Sequence, residues 1–502
     1  MDMPRSSSTD KRYVNITSHV KLRHLADVFW ILITLTGWPA IGSANNQLPD
    51  EIANAIKQSG FNQDGIGLFI QAVDAVEPLV EFQADTALNP ASVIKLVTTA
   101  AALGILGSGY RWSTDVWYTG NIEDDTLEGN LYFRGNGDPY LTPERFWRLL
   151  NRVSIFGIRH INGNIGIDNT YFKSEPVNYA AFDAQPYRTY HVGPNALLVG
   201  FQATEFHFAV VNQQKQEKLQ ITPFPASPKL QILNNVKLTN GRCGAWQKRL
   251  SLSTRSVDGI LQVSFGGRYA LNCDDRTLYR RVTETQDHFQ HYFLPLWYQL
   301  GNTLKGDIKL TSVPDNAKPA IKEASISLSE AIRLINKFSN NVMTRQLLLS
   351  MGAQSLGPPG TPQKGIQVVK SWLAEQKLGD PALQLDNGAG LSRNTRISAA
   401  QLGQLLHYVF QQPYMPEFIA SLPVSGYDGT MAHRFTNEPL QGHAHIKTGL
   451  LDFVQSMAGY ITTATGKRYV VVLLQNHPRA HTKAGERLQD HIIRWIFALN
   501  SE

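Results

Sequence analysis

Two residues in the first quarter of the chain combine the side chains of a nucleophile and a base. Ser92 and Lys95 are three residues apart, so on a helix both side chains lie on one face. The lysine amine can then take the proton of the serine hydroxyl. Because the same spacing recurs by chance at Ser8 and Lys11, the pair needs support from its surroundings.

The residues around Ser92 predict that it lies in the first turn of a helix. Asn89 is a good N-cap, Pro90 fits the first helical position, and alanines follow. A helix N-terminus favours negative charge, which would develop on the serine oxygen and on a carbonyl that it attacks. This context favours nucleophilic attack on a carbonyl group.

Two triplets further along the chain carry groups that could complete such a site. Ser339-Asn340-Asn341 is predicted toward the middle of a helical stretch, residues 326–349, and Lys447-Thr448-Gly449 on a strand. A Ser-x-Asn triplet is common by chance, and Asn340 is expected to be a turn or cap residue. The signal is the order Ser-x-x-Lys, Ser-x-Asn, Lys-Thr-Gly, which is a signature of penicillin-binding proteins and, in variant form, of class A β-lactamases.

Helices and strands near both ends of the chain must position these residues. Apolar residues at steps of three and four predict helices, and alternating apolar residues predict strands. Besides the helix at Ser92, the predicted elements are helices at 48–59, 326–349, 398–410 and 484–499 and strands within 65–80 and at 445–447, 455–462 and 469–475. Strands joined by short turns form an antiparallel sheet, so the terminal thirds predict one α/β domain with a sheet flanked by helices.

A β-rich insertion is predicted to interrupt this domain. Between residues 113 and 320, short alternating runs are broken by Gly, Asn and Asp turns. This stretch is longer than one ordinary domain. The α/β domain is therefore predicted to comprise residues 45–112 and 321–502.

Composition and charge exclude several classes of protein. Of the 502 residues, 42% are hydrophobic and 18% are charged, which is the composition of a folded protein. The net charge of +6 is too dilute over this length to indicate nucleic-acid binding.

Residues 1–44 are predicted to be an export signal. The basic residues Lys21 and Arg23 precede an apolar run at 28–41, and the small residues at 42–44 suit a signal peptidase. This run is shorter than the ~20 residues of a spanning helix, which favours a signal over a retained anchor. We therefore expect a periplasmic protein.

The two cysteines, Cys243 and Cys273, are predicted to form a disulfide, as an even pair in an exported chain often does. Two separate buried thiols are the alternative. No second Cys or His lies at ligand spacing beside either cysteine, so the sequence predicts no metal site. No cofactor is implied.

The ordered motifs resemble those of the class C low-molecular-mass penicillin-binding proteins, the exported D-alanyl-D-alanine carboxypeptidase/endopeptidases. Stretches 135–139, 386–393 and 428–430 also resemble this family, although their Gly-rich sequences are typical of turns. The resemblance implies a β-lactamase/transpeptidase-like domain interrupted by two inserted subdomains. It also implies peptidoglycan stem peptides as substrates and β-lactams as covalent inhibitors.

The resemblance implies a serine peptidase mechanism. Ser92 would attack the carbonyl between two D-alanines, and water would then hydrolyse the acyl-enzyme. Lys95 would be the base, with a pKa lowered by burial and by Lys447. Ser339 would relay protons to the leaving amine, and Asn341 would hold the substrate amide.

The Lys-Thr-Gly strand is implied to bind the substrate carboxylate through Lys447 and Thr448. The backbone N–H groups of Ser92 and of Leu450, which follows Gly449, would form the oxyanion hole. In related enzymes a hydroxyl residue often follows Lys-Thr-Gly. Because Leu450 takes that place here, weaker recognition of a free carboxylate is expected.

Two other functions stay open at this point. A catalytically weak sensor or scaffold of the cell wall would keep the same fold, but the intact motifs argue against it. A β-lactamase would need a deacylating carboxylate, which the long insertion prevents us from assigning. The oligomeric state, association with the membrane or the cell wall, and the balance of carboxypeptidase and endopeptidase action also stay open.

Overall fold

The computed structural model describes residues 48–173, 182–213 and 216–500. The predicted export signal lies outside the described residues. None of the helices in these ranges combines the length and the hydrophobicity that a membrane span requires.

The elements fall into three consecutive groups along the chain. The first group is α1 (Asp50–Ser59), β1 (Ile66–Ala72), β2 (Val80–Phe82) and α2 (Lys95–Leu106). The second group is β3 (Arg111–Tyr118), β4 (Asn121–Glu123), β5 (Thr126–Glu128), β6 (Leu131–Gly135), α3 (Pro143–Ile155), β7 (His160–Ile161), β8 (Ile165–Asp168), β9 (Thr204–Gln213), β10 (Gln216–Phe224), β11 (Leu230–Asn234), β12 (Lys237–Thr239), β13 (Leu250–Val257), β14 (Ile260–Ala270), β15 (Arg276–Arg280), α4 (Thr285–Gln299), β16 (Thr303–Leu304), β17 (Ile308–Leu310) and β18 (Lys318–Ser327). The third group is α5 (Leu328–Phe338), α6 (Asn341–Leu356), α7 (Pro362–Glu375), α8 (Ala399–Phe410), α9 (Met415–Ala420), β19 (Ala444–Leu451), β20 (Val454–Thr462), β21 (Arg468–Asn476) and α10 (Lys483–Phe497).

The first and third groups form one domain around a five-stranded antiparallel sheet, with strand order β19-β20-β21-β1-β2. Both faces of the sheet are covered. Along β1, Phe69 packs into a core shared with α2 and α5 to α8, whereas Leu68 and Ile70 pack into a second core with α1 and α10. Alternate residues of a strand point to opposite faces, so β1 is buried on both faces and is apolar except for Gln71. This is the predicted arrangement of a sheet flanked by helices.

The second group forms the inserted region, which has two hydrophobic cores of its own. Its entering and leaving strands, β3 and β18, pair antiparallel with each other. The first core lies between the sheet β17-β8-β6-β3-β18 and the helices α3 and α4. The second core is built from β9 to β15, and there Cys243 and Cys273 are joined by a disulfide with Cα atoms 4.7 Å apart. The sequence pattern predicts a largely β region, and the helices α3 and α4 depart from that prediction.

One prediction from the sequence is wrong, namely a single continuous helix over residues 326–349. Residues 326–349 are not one helix but the two helices α5 and α6. The break lies at Ser339, whose φ of 55° places it in the left-handed region. Ser339 is thus a helix junction, not a residue in the middle of a helix.

Candidate active site

Ser92 lies in a short 3-10 turn, Ala91–Ile94, that leads directly into α2. The side-chain oxygen of Asn89 accepts a hydrogen bond from the Ala91 N–H at 2.9 Å, but the N-cap residue of this turn is Pro90 and not the predicted Asn89. Lys95 is the first residue of α2, and its Nζ donates to Ser92 Oγ at 3.1 Å. The predicted contact between the hydroxyl and the amine is therefore present.

Lys95 is completely buried and has three oxygen partners. In addition to Ser92 Oγ, its Nζ contacts Asn341 Oδ1 at 2.6 Å and the backbone carbonyl of Ala389. Burial holds the pKa of Lys95 well below its usual value, and the positive charges of Lys447 and Arg345 lower it further. A lysine with a lowered pKa gives up its own proton more easily and can then accept one from a neighbouring hydroxyl.

The junction between α5 and α6 directs two side chains of the Ser-x-Asn triplet toward the two buried lysines. Ser339 Oγ accepts a hydrogen bond from Lys447 Nζ at 3.1 Å, and Asn341 contacts Lys95. Asn340 instead caps α6, because its side chain accepts from the Met343 N–H at 3.0 Å. Because the backbone is left-handed at Ser339, the side chains of Ser339 and Asn341 reach the lysines, whereas the side chain of Asn340 between them caps α6.

Lys447 lies on β19 and is also completely buried. Its Nζ donates to Ser339 Oγ and, at 2.7 Å, to the carbonyl of Thr448. Burial lowers its pKa to about 7. Each of the two buried amines thus contacts one of the two serine hydroxyls, and Lys447 can change its charge near neutral pH.

β19 is an edge strand, and its open side lies beside the turn that carries Ser92. The N–H of Ile446 bonds to Pro423 on the side away from β20. Because the direction of backbone groups alternates along a strand, the N–H of Leu450 points to that same open side. A Cβ on Gly449 would lie 2.7 Å from the Pro90 carbonyl oxygen and 3.0 Å from the nitrogen of Ser92. Glycine therefore allows the strand to approach the nucleophile closely.

The structure brings together every residue of the three motifs that was predicted to act in the site. It also adds two groups that the sequence analysis excluded as parts of turns. One is the carbonyl of Ala389, which contacts Lys95, and the other is Thr430, whose Oγ1 accepts a hydrogen bond from Thr448 Oγ1 at 2.7 Å. The signal for both was present in the Gly-rich stretches 386–393 and 428–430, which the sequence analysis noted but assigned only to turns.

A model of the D-Ala-D-Ala carboxypeptidase 3 (S13) family matches residues 48–498. The chain belongs to this family. The match confirms the resemblance to the class C low-molecular-mass penicillin-binding proteins and identifies the chain as a serine-type D-Ala-D-Ala carboxypeptidase.

Two curated relatives and a solved structure match most of this chain. The chain is 27% identical to the D-alanyl-D-alanine carboxypeptidase of Actinomadura sp. (strain R39), over 87% of this chain and 82% of the relative. It is 24% identical to the D-alanyl-D-alanine carboxypeptidase DacB of Haemophilus influenzae, over 82% of this chain and 85% of the relative. The crystal structure of penicillin-binding protein 4 (dacB) from Haemophilus influenzae superposes with a TM-score of 0.74 and 21% identity, covering 89% of this chain and 99% of the other. This similarity confirms the predicted fold class.

Proposed function

We propose that this protein removes the terminal D-alanine of peptidoglycan stem peptides through an acyl-enzyme on Ser92. The observation that carries this proposal is the contact of Lys95 Nζ with Ser92 Oγ at 3.1 Å, in a position where Lys95 is buried and its pKa is lowered. A neutral amine at this distance can take the hydroxyl proton as the serine attacks.

Acylation forms the bond between Ser92 Oγ and the carbonyl carbon and breaks the peptide bond to the last D-alanine. The negative charge on the carbonyl oxygen is stabilised by the N–H groups of Ser92 and Leu450, each donor being worth about 3 kcal/mol. The leaving amine receives its proton through Ser339, which Lys447 contacts across the cleft. Water then hydrolyses the ester and restores Ser92.

The substrate is held by the groups around the two buried amines. Asn341 is proposed to bind the substrate amide, which its side-chain contact with Lys95 beside Ser92 supports. Lys447 and Thr448 form the side that attracts the terminal carboxylate, on the part of β19 where Gly449 allows a close approach to the Ser92 turn.

We further propose covalent inhibition by β-lactams, which present a strained carbonyl to the same nucleophile. The penicillin-binding protein 4 of Haemophilus influenzae has been crystallised in complex with a β-lactam. Cleavage of crosslinked peptides is proposed as a second activity of the same site, because the acylation step is the same.

Residues 1–44 are proposed to direct export to the periplasm. The remaining chain is proposed to divide into the catalytic domain, residues 45–112 and 321–502, and an insertion of two subdomains between them. The two separate cores of the inserted region support this division. Fractionation of cells that express the full chain, with detection of the shortened protein in the periplasm, tests the export proposal.

Incubation with a pentapeptide ending in D-Ala-D-Ala and with labelled penicillin tests the catalytic proposal. The mature protein is expected to release D-alanine and to carry the label on Ser92, and Ser92→Ala is expected to do neither. A protein that binds the peptide without turnover would instead be a sensor or scaffold. Mapping of the label to another residue would contradict the assignment of Ser92.

A further inference from the structure

A second hydroxyl group lies next to Thr448 at the cleft. Thr448 Oγ1 and Thr430 Oγ1 are 2.7 Å apart, and Thr430 is exposed to solvent while Thr448 is half-buried. Thr430 belongs to the 3-10 turn Gly429–Met431, which packs against β19. Two adjacent hydroxyls that solvent can reach are able to donate to the two oxygens of one carboxylate.

The strand itself offers no second hydroxyl at this position. Leu450 is two residues after Thr448, so both side chains lie on the same face of β19. The Leu450 side chain is 60% exposed and has no polar atom. The second hydroxyl near Thr448 is therefore that of Thr430, which lies on the neighbouring turn and not on β19.

The turn that carries Thr430 is fixed to the end of α5. Asp428 accepts a hydrogen bond from Lys337 Nζ at 2.6 Å and another from the Val424 N–H at 2.9 Å. Gly429 has a φ of 58°, and a Cβ there would lie 2.6 Å from the Lys337 carbonyl oxygen. Because Lys337 is two residues before Ser339, these contacts set the position of Thr430 relative to the rest of the site.

We propose that Thr430 is a substrate-binding residue that donates, together with Thr448, to the terminal carboxylate of the substrate. This inference rests on the proposed function, since it assigns a partner to the carboxylate of the same D-alanine. It also revises the expectation from the sequence, because Thr430 supplies the hydroxyl that Leu450 lacks.

Thr430→Val tests the proposal, because valine keeps the shape of threonine and removes the hydroxyl. A hydrogen bond to a charged group accounts for about a 10-fold effect or more on binding. We expect kcat/KM for a peptide ending in D-Ala-D-Ala to fall about 10-fold, and kcat/KM for the same peptide with an amidated C-terminus to change less than about 2-fold. Thr430→Ser should behave like the wild type, and so should Thr311→Val, a matched change on the exposed surface of the inserted region.

Leu450→Thr in the Thr430→Val background gives an independent readout. The added hydroxyl lies on the same face of β19 as Thr448 and should restore most of the activity toward the free acid. Equal losses for the acid and the amide would show a structural role for Thr430 and overturn the proposal. Unchanged activity toward the acid would overturn it as well.

The failure of the proposed function can be distinguished from the failure of this inference. If the wild type labels Ser92 with benzylpenicillin but does not turn over peptide, the carboxypeptidase proposal fails. In that case, Thr430→Val is compared in its rates of acylation by benzylpenicillin, which carries a free carboxylate, and by the methyl ester, which is neutral. If the acid loses no more than the ester, the role of Thr430 in carboxylate binding is wrong, and the absence of any acylation of the wild type overturns both proposals.

Discussion

Lys95 and Lys447 are both completely buried, and among the hydrogen bonds of the described residues neither amine has a carboxylate partner. Their partners are hydroxyl, amide and carbonyl oxygens. Desolvation without an opposing charge lowers the pKa of both amines. At the scale of single residues, this supports the proposed roles of Lys95 as a base and of Lys447 as a cation whose charge depends on pH.

Replacing Lys95 by alanine is expected to slow acylation of Ser92 by benzylpenicillin at least about 100-fold, because a general base typically contributes this much or more. The rate is measured by stopped-flow fluorescence or by mass spectrometry of the acylated protein. Lys57→Ala, which removes an exposed lysine of α1, is the control and should acylate at the wild-type rate. Near-normal acylation of the Lys95 variant would mean that another group is the base.

The pH dependence of kcat/KM should have two limbs with different causes. As the pH rises, Lys95 loses its proton and becomes able to act as a base, so the rate rises on the acid side. As the pH rises through about 7, Lys447 loses its charge and attracts a carboxylate less strongly, so the rate for a free acid falls. The matching amidated peptide should lack this falling limb. Superimposable profiles for the two peptides would contradict the role of Lys447.

Short connections between helices and loops set the geometry at the scale of the elements. Lys337, near the end of α5, donates to Asp428 at 2.6 Å and to the Leu422 carbonyl at 2.8 Å. These contacts join the helix that ends at Ser339 to the turn that contacts Thr448. The side chain of Lys337 is only 5% exposed, whereas that of Asp428 is 36% exposed.

Asp428→Asn is expected to destabilise the protein, because it leaves the Lys337 charge buried without its counter-ion. Breaking a fully buried pair costs about 3 to 5 kcal/mol, and the exposure of Asp428 reduces this to about 2 kcal/mol. The free energy of unfolding is measured by urea denaturation. Adding Lys337→Met to Asp428→Asn should recover part of the loss, and a double-mutant cycle separates the pair from its surroundings. An unchanged urea midpoint for Asp428→Asn would show that the pair is not needed.

The elements that could be predicted from the sequence are those with a strong local signal. The alternating strands around Lys447 were located correctly, whereas the helix predicted to start at Pro90 begins as the 3-10 turn Ala91–Ile94 and becomes α-helical only at Lys95. The break at Ser339 could not be seen, because neither a glycine nor a proline marks it and apolar periodicity continues across it. The contact of Thr430 with Thr448 was missed because it depends on how a turn packs against a strand, which periodicity does not report.

At the scale of the whole molecule, the inserted region has cores separate from those of the catalytic domain. It nevertheless contacts α6, the helix that begins at Asn341. Arg345, one turn after Asn341 in α6, donates to the carbonyls of Tyr190 and Val192. The Gln346 side chain accepts a hydrogen bond from the Asn195 N–H and donates one to the Asn195 carbonyl. The inserted region therefore supports the helix that begins at Asn341.

Removal of the disulfide by Cys243→Ser with Cys273→Ser should destabilise the second core of the inserted region by about 3 to 4 kcal/mol in the chain-entropy model. The bond joins residues 30 apart within that core alone. Limited proteolysis should therefore cut the variant within residues 204–280 earlier than the wild type. Labelling of Ser92 by penicillin should persist at 25 °C, and loss of labelling would show that the second core is required for the site.

The order of the strands has a consequence for the newly made chain. β1 lies between β2 and β21, and Ile66 pairs with Gln475. Ser92 and Lys95 are therefore synthesised long before β19, β20 and β21, whereas the inserted region can complete its own cores first. During translation the reactive serine has no Lys447 opposite it and no strand edge to bind a substrate. A chain that ends before β19 therefore lacks Lys447, Thr448 and the strand edge, and the proposed site is complete only once the last part of the chain has been made.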